Sequence, residues 1–157
     1  MNEAGLYADR LSVNVEIPKE ENLKLLAPEK DHKSVYAPMR YIQQGVLESS
    51  EERKKHRYAP RFAPAGQSTQ MIVGATAETD KDILYLSSAL YKGPTMRRVY
   101  YSGYISVNTY DKRLPALKQP PLVRENRLYQ ADWLMRFYQF KVEAVSYTHL
   151  RAHETEA

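Results

Sequence analysis

The sequence contains no cysteine, and this absence excludes several classes of site. Without thiols the chain can form neither disulfides nor thiolate zinc sites, and it cannot hold an iron–sulfur cluster by itself. Phenylalanine is also scarce, with three residues against thirteen tyrosines. This ratio predicts many half-buried rings with a polar tip and few rings in a dry aromatic core.

Long apolar runs are absent as well. No stretch approaches the ~18 apolar residues that span a bilayer, and residues 1–10 lack the order of a signal peptide. We therefore expect a cytoplasmic protein without membrane contact. The 157 residues, 43% of them hydrophobic, suffice for one domain with a sizeable core. The net charge of +4 permits a polyanionic partner without requiring one.

Three segments have the pattern of β-strands. Residues 11–17 alternate strictly, with apolar side chains at the odd positions and polar side chains at the even ones. Residues 69–74 form an apolar segment, as expected of a strand covered on both faces. Residues 97–107 are rich in valine, tyrosine and isoleucine, which favours a third strand.

Helical spacing predicts helices at residues 19–27 and 34–55, a third that Thr76 or Thr79 caps, and a last one at 122–140. The predicted buried stripe of the last helix is Leu128, Ala131, Trp133, Leu134 and Phe137. Helices between strands indicate crossover connections, so we expect an α/β fold with a parallel sheet and outer helices. Residues 58–68 form a long loop, a kind of segment that often carries function.

Residues 72–79, Ile-Val-Gly-Ala-Thr-Ala-Glu-Thr, resemble the fifth-strand motif of many radical S-adenosylmethionine (radical SAM) proteins. A longer match resembles one branch, the radical SAM proteins named for DNA modification and repair, which are linked by genome neighbourhood to a uracil-DNA-glycosylase-like protein. The resemblance covers nearly all of residues 5–145. Its segments are residues 8–16, 26–31, 61–76, 98–102 and 124–137.

The resemblance implies that residues 1–145 are the C-terminal part of a TIM-like radical SAM barrel, with about three parallel strands. The parent enzyme would bind S-adenosylmethionine and a 4Fe-4S cluster and generate a 5′-deoxyadenosyl radical, for DNA modification or repair. DNA and the uracil-DNA-glycosylase-like protein would be its partners. The family's C-x-x-x-C-x-x-C motif and its C-terminal helix-hairpin-helix-like region do not occur here. We therefore expect an inactive fragment.

The last residues match no part of that family. Residues 146–157 resemble a translated sequencing adaptor of the kind found in metagenomic contigs. We expect a non-native or disordered tail there and exclude it from the fold. His149 and His153 are four residues apart, a spacing that can bind metal on a helix. They receive no weight because they lie in this tail.

The resemblance places cofactor contacts on the first two strands. The polar face of the first strand, Ser12, Asn14 and Glu16, would meet the ribose and methionine parts of S-adenosylmethionine, and an exposed polar strand face is the alternative. Ile72 and Gly74 would line its adenosine part, or Gly74 marks an ordinary strand–helix turn. The remaining predicted cofactor contacts are Gln70 and Tyr101. For Tyr101, a core ring with a bonded hydroxyl is the alternative.

Arg61 and Gln67 are candidates for binding substrate or phosphate, because arginine holds carboxylates and phosphates through two hydrogen bonds. A surface arginine in a loop is the alternative for Arg61. The basic run Arg53–Arg57 can contact phosphates or form a solvated helix end. No Ser–His–Asp order, paired-carboxylate signature or P-loop is visible. The alternative function is therefore a non-enzymatic α/β module that binds nucleic acid.

Overall fold

The computed structural model describes residues 2–147 except residues 108, 109 and 118. Its three strands form one parallel sheet in the order β1-β2-β3, with helices around it. The predicted α/β class with a parallel sheet is therefore confirmed. The elements are α1 (Asn2–Tyr7), β1 (Leu11–Ser12), α2 (Glu20–Leu26), α3 (His32–Lys55), β2 (Gln67–Val73), α4 (Asp80–Tyr91), β3 (Met96–Gly103) and α5 (Leu122–Phe137).

The first strand is much shorter than the seven residues predicted. Only Leu11 and Ser12 belong to the regular ladder, and a single bridge joins Glu16 to Met71 further on. Between them the Val15 amide donates to the Thr69 hydroxyl, 3.0 Å away, instead of to a carbonyl. A side chain thus interrupts the ladder. The alternation in burial persists, because Val15 is buried whereas Ser12 is exposed.

Helices α3 and α4 both begin with reciprocal caps. Asp31 is the N-cap of α3, because its carboxylate accepts from the Ser34 amide at 2.6 Å while the Ser34 hydroxyl accepts from the Asp31 amide. The helix therefore begins at His32, two residues before the predicted start. Of the two residues predicted to cap α4, Thr79 is the N-cap, and it exchanges the same pair of hydrogen bonds with Asp82.

The third strand and the last helix also end earlier than predicted. The Tyr104 amide makes the last bond of β3 to the Val73 carbonyl, and beyond it β2 offers no further partner. The last helix ends at Phe137, shortly before Gln139 adopts a left-handed φ of +57°. Residues 142–147 form a further helical segment that includes Ser146 of the predicted tail. Residues 148–157, with His149 and His153, lie outside the described residues.

The predicted buried stripe of α5 is only partly right. Leu128 and Ala131 are buried, but Trp133 and Phe137 are 51% and 56% exposed, and Leu134 is exposed as well. The third buried position is Asp132. Positions 128, 131 and 132 have the spacing of one helix face, and one of the three buried residues is an aspartate.

The main core lies between one face of the sheet and helices α3, α4 and α5. Buried apolar side chains of β2 and β3 pack there against side chains of the helices. The principal contributors are Met71, Val73, Val99, Tyr101, Ile83, Leu84 and Leu128. Because β2 and β3 pair from Gln67 to Val73 without a gap after Ser68, this face is continuous.

The outer edge of β3 is closed by side chains. The Val99 amide donates to the Tyr91 hydroxyl at 2.8 Å, and the Tyr101 amide donates to the Tyr129 hydroxyl at 2.9 Å. The Gly103 amide donates to a carboxylate oxygen of Glu125 at 2.6 Å. These alternate amides would otherwise be free to pair with another strand. Side chains of α4 and α5 thus accept hydrogen bonds from the outer amides of β3.

The long loop between α3 and β2 is anchored by the ring of Phe62. A Cβ added at Gly5 would lie 2.0 Å from this ring, and one at Gly45 would lie 2.7 Å from it. The two glycines therefore make the space that the ring fills. The Ser49 hydroxyl supports the same anchor, because it accepts from the Phe62 amide and donates to the Pro60 carbonyl.

Gly45→Ala tests this anchor. Alanine favours a helix by about 1 kcal/mol over glycine, but its methyl group would overlap the Phe62 ring, which costs about 1–3 kcal/mol. We expect a net loss of stability in urea unfolding, and a smaller loss in a Phe62→Leu background. An alanine variant more stable than the wild type would contradict the tight contact.

Stability at alkaline pH provides a second test of the core. Burial raises the pKa of the Tyr91 and Tyr101 phenols above the ordinary value near 10, and the charge of Asp132 raises both further. Because the folded state favours the neutral phenols, this stabilisation is complete below pH 10 and is lost as the pH rises towards the folded-state pKa. We expect the free energy of unfolding to fall above pH 10, and less steeply in Tyr91→Phe. Equal slopes in the two proteins would contradict the assignment.

Candidate functional site

The sheet face opposite the main core begins with Ser12 and the even-numbered residues of β2. Ser12 pairs with Ser68, and Gln70 and Ile72 follow on the same face of β2, paired with Tyr100 and Ser102 of β3. The Ser12 hydroxyl donates to the Asn14 amide oxygen at 3.0 Å and to the Ser68 carbonyl at 3.2 Å. Ser12 and Asn14 are both exposed. We call Ser12, Asn14, Gln70 and Ile72 the polar face.

Glu16 meets the polar face through its backbone. Its amide donates to the Gln70 carbonyl at 2.9 Å, and its carbonyl accepts from the Ile72 amide at 2.8 Å. One more residue separates Ser12 from Glu16 than separates their partners Ser68 and Met71, so the pairing register shifts by one residue between these two pairs. Glu16 has a left-handed φ of +63° and directs its carboxylate to the Lys30 ammonium at 3.0 Å.

Ile72 is half-buried in a small apolar cluster at the carboxyl ends of the strands. Ile17, Leu23 and Ala75 form the buried part of this cluster, and Ile72 and Tyr104 pack against it. The half-buried Gln70 precedes Ile72 on the polar face, so polar and apolar side chains adjoin there. Such a mixture of surface types can bind a ligand that has both a flat apolar part and charged groups.

Gly74 follows β2 directly, with a φ of +88°. This conformation favours glycine, and a Cβ in its place would lie 3.0 Å from the Pro121 ring. The turn from Gly74 to Thr79 thus passes close under the start of α5. The prediction of a strand–helix turn at Gly74 is confirmed, and its contact with a cofactor stays a prediction.

Glu78 is a buried residue whose role the sequence did not indicate. Its carboxylate accepts from the Asn22 side-chain amide at 2.8 Å, from the Lys19 backbone amide at 3.3 Å and from the Thr76 hydroxyl. The Glu78 carbonyl accepts from Arg124 at 2.7 Å. This set joins the turn after β2 to the segment after β1. The Glu-Thr pair of the motif was the available signal, but the motif alone does not indicate that the Glu78 carboxylate is buried.

Tyr101 does not belong to the polar face. Its side chain is buried on the core side, where its hydroxyl donates to Asp132 at 3.2 Å and is hydrogen-bonded to the Ser87 hydroxyl at 2.9 Å. Successive residues of a strand point to opposite faces, so the neighbour of Tyr100 faces the helices. The core ring with a bonded hydroxyl, the alternative for this residue, describes Tyr101 correctly.

Gln67 is also placed away from any surface that substrate can reach. It is buried against α3, and its side-chain amide donates to the Thr95 hydroxyl at 2.8 Å and to the Met39 carbonyl at 3.3 Å. Its role as a substrate or phosphate contact is therefore corrected to a structural one. The Gln67 side-chain oxygen is buried without a hydrogen-bond partner in the described part of the chain.

Arg61 is exposed and lies in a groove at the amino ends of β2 and β3, together with Arg53 and Arg97. The groove has a volume of about 330 Å³. Seven residues of β2 separate its amino end from Gly74, a distance of about 20 Å along a strand. Of the two predicted contacts to substrate or phosphate, only Arg61 is accessible to a ligand.

The described residues contain no group of three or more histidine, cysteine, aspartate or glutamate side chains that could hold a metal ion. Among the same residues, no helix combines the length and apolar character needed to cross a membrane.

Comparisons with protein-family models, curated proteins and solved structures gave no match to the chain.

Tyr101→Phe tests the corrected placement of Tyr101. Loss of the hydroxyl removes bonds to Ser87 and to the buried Asp132, so we expect a stability loss of about 1–2 kcal/mol in urea unfolding. The matched control is Tyr100→Phe on the opposite face, with an expected change within ~0.5 kcal/mol. Equal effects of the two variants would contradict the placement.

Proposed function

We propose that this chain is a section of a radical SAM barrel and that its polar face, with Glu16 and Gly74, binds S-adenosylmethionine. Four of the seven predicted cofactor contacts share this face, Glu16 and Gly74 adjoin it through the backbone, and this grouping carries the proposal. Ile72 and Gly74 lie at the carboxyl end of β2, and α/β folds generally bind ligands at the carboxyl ends of parallel strands. The sequence resemblance over residues 5–145 supplies the identity of the cofactor.

The residue types at this surface suit the parts of S-adenosylmethionine. The Glu16 carboxylate can accept from an ammonium or a ribose hydroxyl, in place of its present bond to Lys30. Asn14 and Gln70 carry amides that can both donate and accept, which matches a carboxylate and hydroxyl groups. Ile72 offers an apolar contact for the adenine. Gly74, with its left-handed φ, turns the chain directly after Ile72 and so ends the surface at this side.

The residues do not suit the iron–sulfur cluster of the family. Such clusters are held chiefly by cysteine thiolates, and the chain has no cysteine. When bound, S-adenosylmethionine supplies the sulfonium carbon–sulfur bond that the family's enzymes cleave. The chain alone would bind and orient this cofactor without cleaving it. We therefore propose binding, and not turnover, as the activity of these 157 residues.

The two edges of the sheet support this proposed position within a barrel. Tyr91, Tyr129 and Glu125 occupy the outer amides of β3, so another strand cannot pair there without displacing them. In a barrel, further strands would then pair with β1, whose short ladder adjoins only β2 among the described strands. This arrangement would place the polar face inside the barrel.

Titration of the chain with S-adenosylmethionine, followed by calorimetry, tests the proposal. We expect saturable binding, and binding about tenfold weaker in Glu16→Gln, because a hydrogen bond to a charged group contributes about 1.5–3 kcal/mol. The matched control is Glu29→Gln, which removes the same charge from an exposed turn. It should bind as the wild type does.

S-adenosylhomocysteine serves as a second ligand in the same experiment, since it keeps the nucleoside and amino-acid groups but lacks the sulfonium charge. It should bind at the same surface and show the same loss in Glu16→Gln. No saturable binding of either ligand, or equal losses in Glu16→Gln and Glu29→Gln, would contradict the proposed site.

A further inference from the structure

The groove at the amino ends of β2 and β3 contains three arginines, and we call it the arginine groove. Arg53 of α3, Arg61 of the long loop and Arg97 of β3 line it, with the Ser49 and Ser50 side chains beside them. None of its lining residues is an aspartate or glutamate. Within the described residues, none of the three guanidinium groups forms an ion pair. Three cations without an anion in one concavity of about 330 Å³ indicate an anionic ligand.

The fold holds each of these arginines in place. Arg97 is the extra residue at the register shift between the pairs Gln67–Met96 and Ser68–Arg98, and such an irregularity redirects a side chain. Gly66 gives it room, because a Cβ there would lie 2.9 Å from the Arg97 side chain and 2.4 Å from the Thr95 carbonyl.

The other two arginines depend on the long loop. Arg61 precedes Phe62, whose ring is fixed in the space left by two glycines. The Arg53 guanidinium donates to the Ala59 carbonyl at 2.5 Å, so α3 and the loop are joined at the rim of the groove. The groove is thus formed by contacts between distant segments and not by one run of basic residues.

We propose that the arginine groove binds the phosphodiester backbone of single-stranded nucleic acid. Lys55 and Arg57 add positive charge at the end of α3 near Arg53, and an excess of cations favours a polyanion over a single anion. Tyr58, next to Ala59, is 92% exposed and offers a ring on which an unpaired base can stack. This inference does not depend on the cofactor site, because the groove and the polar face have no residue in common.

The test measures binding of the full chain to a fluorescein-labelled oligothymidylate of about twelve nucleotides by fluorescence anisotropy, over a range of salt concentrations. The variant R53Q/R61Q/R97Q is compared with K33Q/K81Q/K112Q. The control removes the same charge from exposed lysines near the opposite ends of the strands. Circular dichroism verifies that each variant is folded.

We expect the arginine variant to bind at least about a hundredfold more weakly, and the magnitude of its salt slope to fall by about 2, since each phosphate contact on a single strand contributes ~0.7. The lysine variant should stay within about threefold of the wild type. Tyr58→Ala should weaken binding to the single strand about tenfold, and should leave binding to a duplex of the same length unchanged.

Equal losses in the two triple variants would overturn the proposal, because they would show attraction by overall charge alone. Absence of oligonucleotide binding would overturn it too, as would arginine-dependent binding of only inorganic phosphate or of phosphatidylserine vesicles. If the triple variant does not fold, Arg61→Glu replaces it, because this exposed side chain makes no hydrogen bond within the described residues. Unchanged oligonucleotide binding by Arg61→Glu would equally overturn the proposal.

Discussion

The arrangement of β3, α4 and α5 depends on the hydrogen bonds that the buried carboxylate of Asp132 accepts. Asp132 has no exposed surface, yet it accepts hydrogen bonds from the Tyr91 hydroxyl at 2.6 Å and from Arg136 at 2.6 Å, with the Tyr101 hydroxyl at 3.2 Å. A buried charge is tolerated only when such partners surround it. Through Tyr91, which also accepts from the Val99 amide, the same cluster fixes the edge of the sheet.

Sequence patterns predicted the order of strands and helices well, because burial alternates with the period of each element. They failed where the hydrogen bonds of a single side chain determine the local structure. Thr69 interrupts the ladder of β1 by accepting the Val15 amide, and no local pattern indicates that contact. Asp132 was missed because aspartate is ordinarily exposed, so Trp133 and Phe137 were assigned to the core in its place.

The two candidate sites differ in how far the sequence predicts them, because one is formed by neighbouring strand residues and the other by distant segments. The residues of the polar face lie close together along two paired strands, so their convergence follows from strand pairing. The arginine groove combines residues from α3, a loop and β3, and it requires Gly5 and Gly45 to seat Phe62. Contacts over such sequence separations cannot be derived from spacing. Arg61 was identified from the sequence, whereas Arg97 became part of the groove only through its position in the sheet.

The central claim is that the polar face and the turn at Gly74 bind S-adenosylmethionine, and amide chemical shifts of the ¹⁵N-labelled chain test it most directly. On addition of the cofactor, the account predicts shifts at Ser12, Gln70 and Gly74 and unchanged signals at Arg61 and Arg97. An unchanged spectrum, or shifts confined to the amino ends of the strands, would contradict the account.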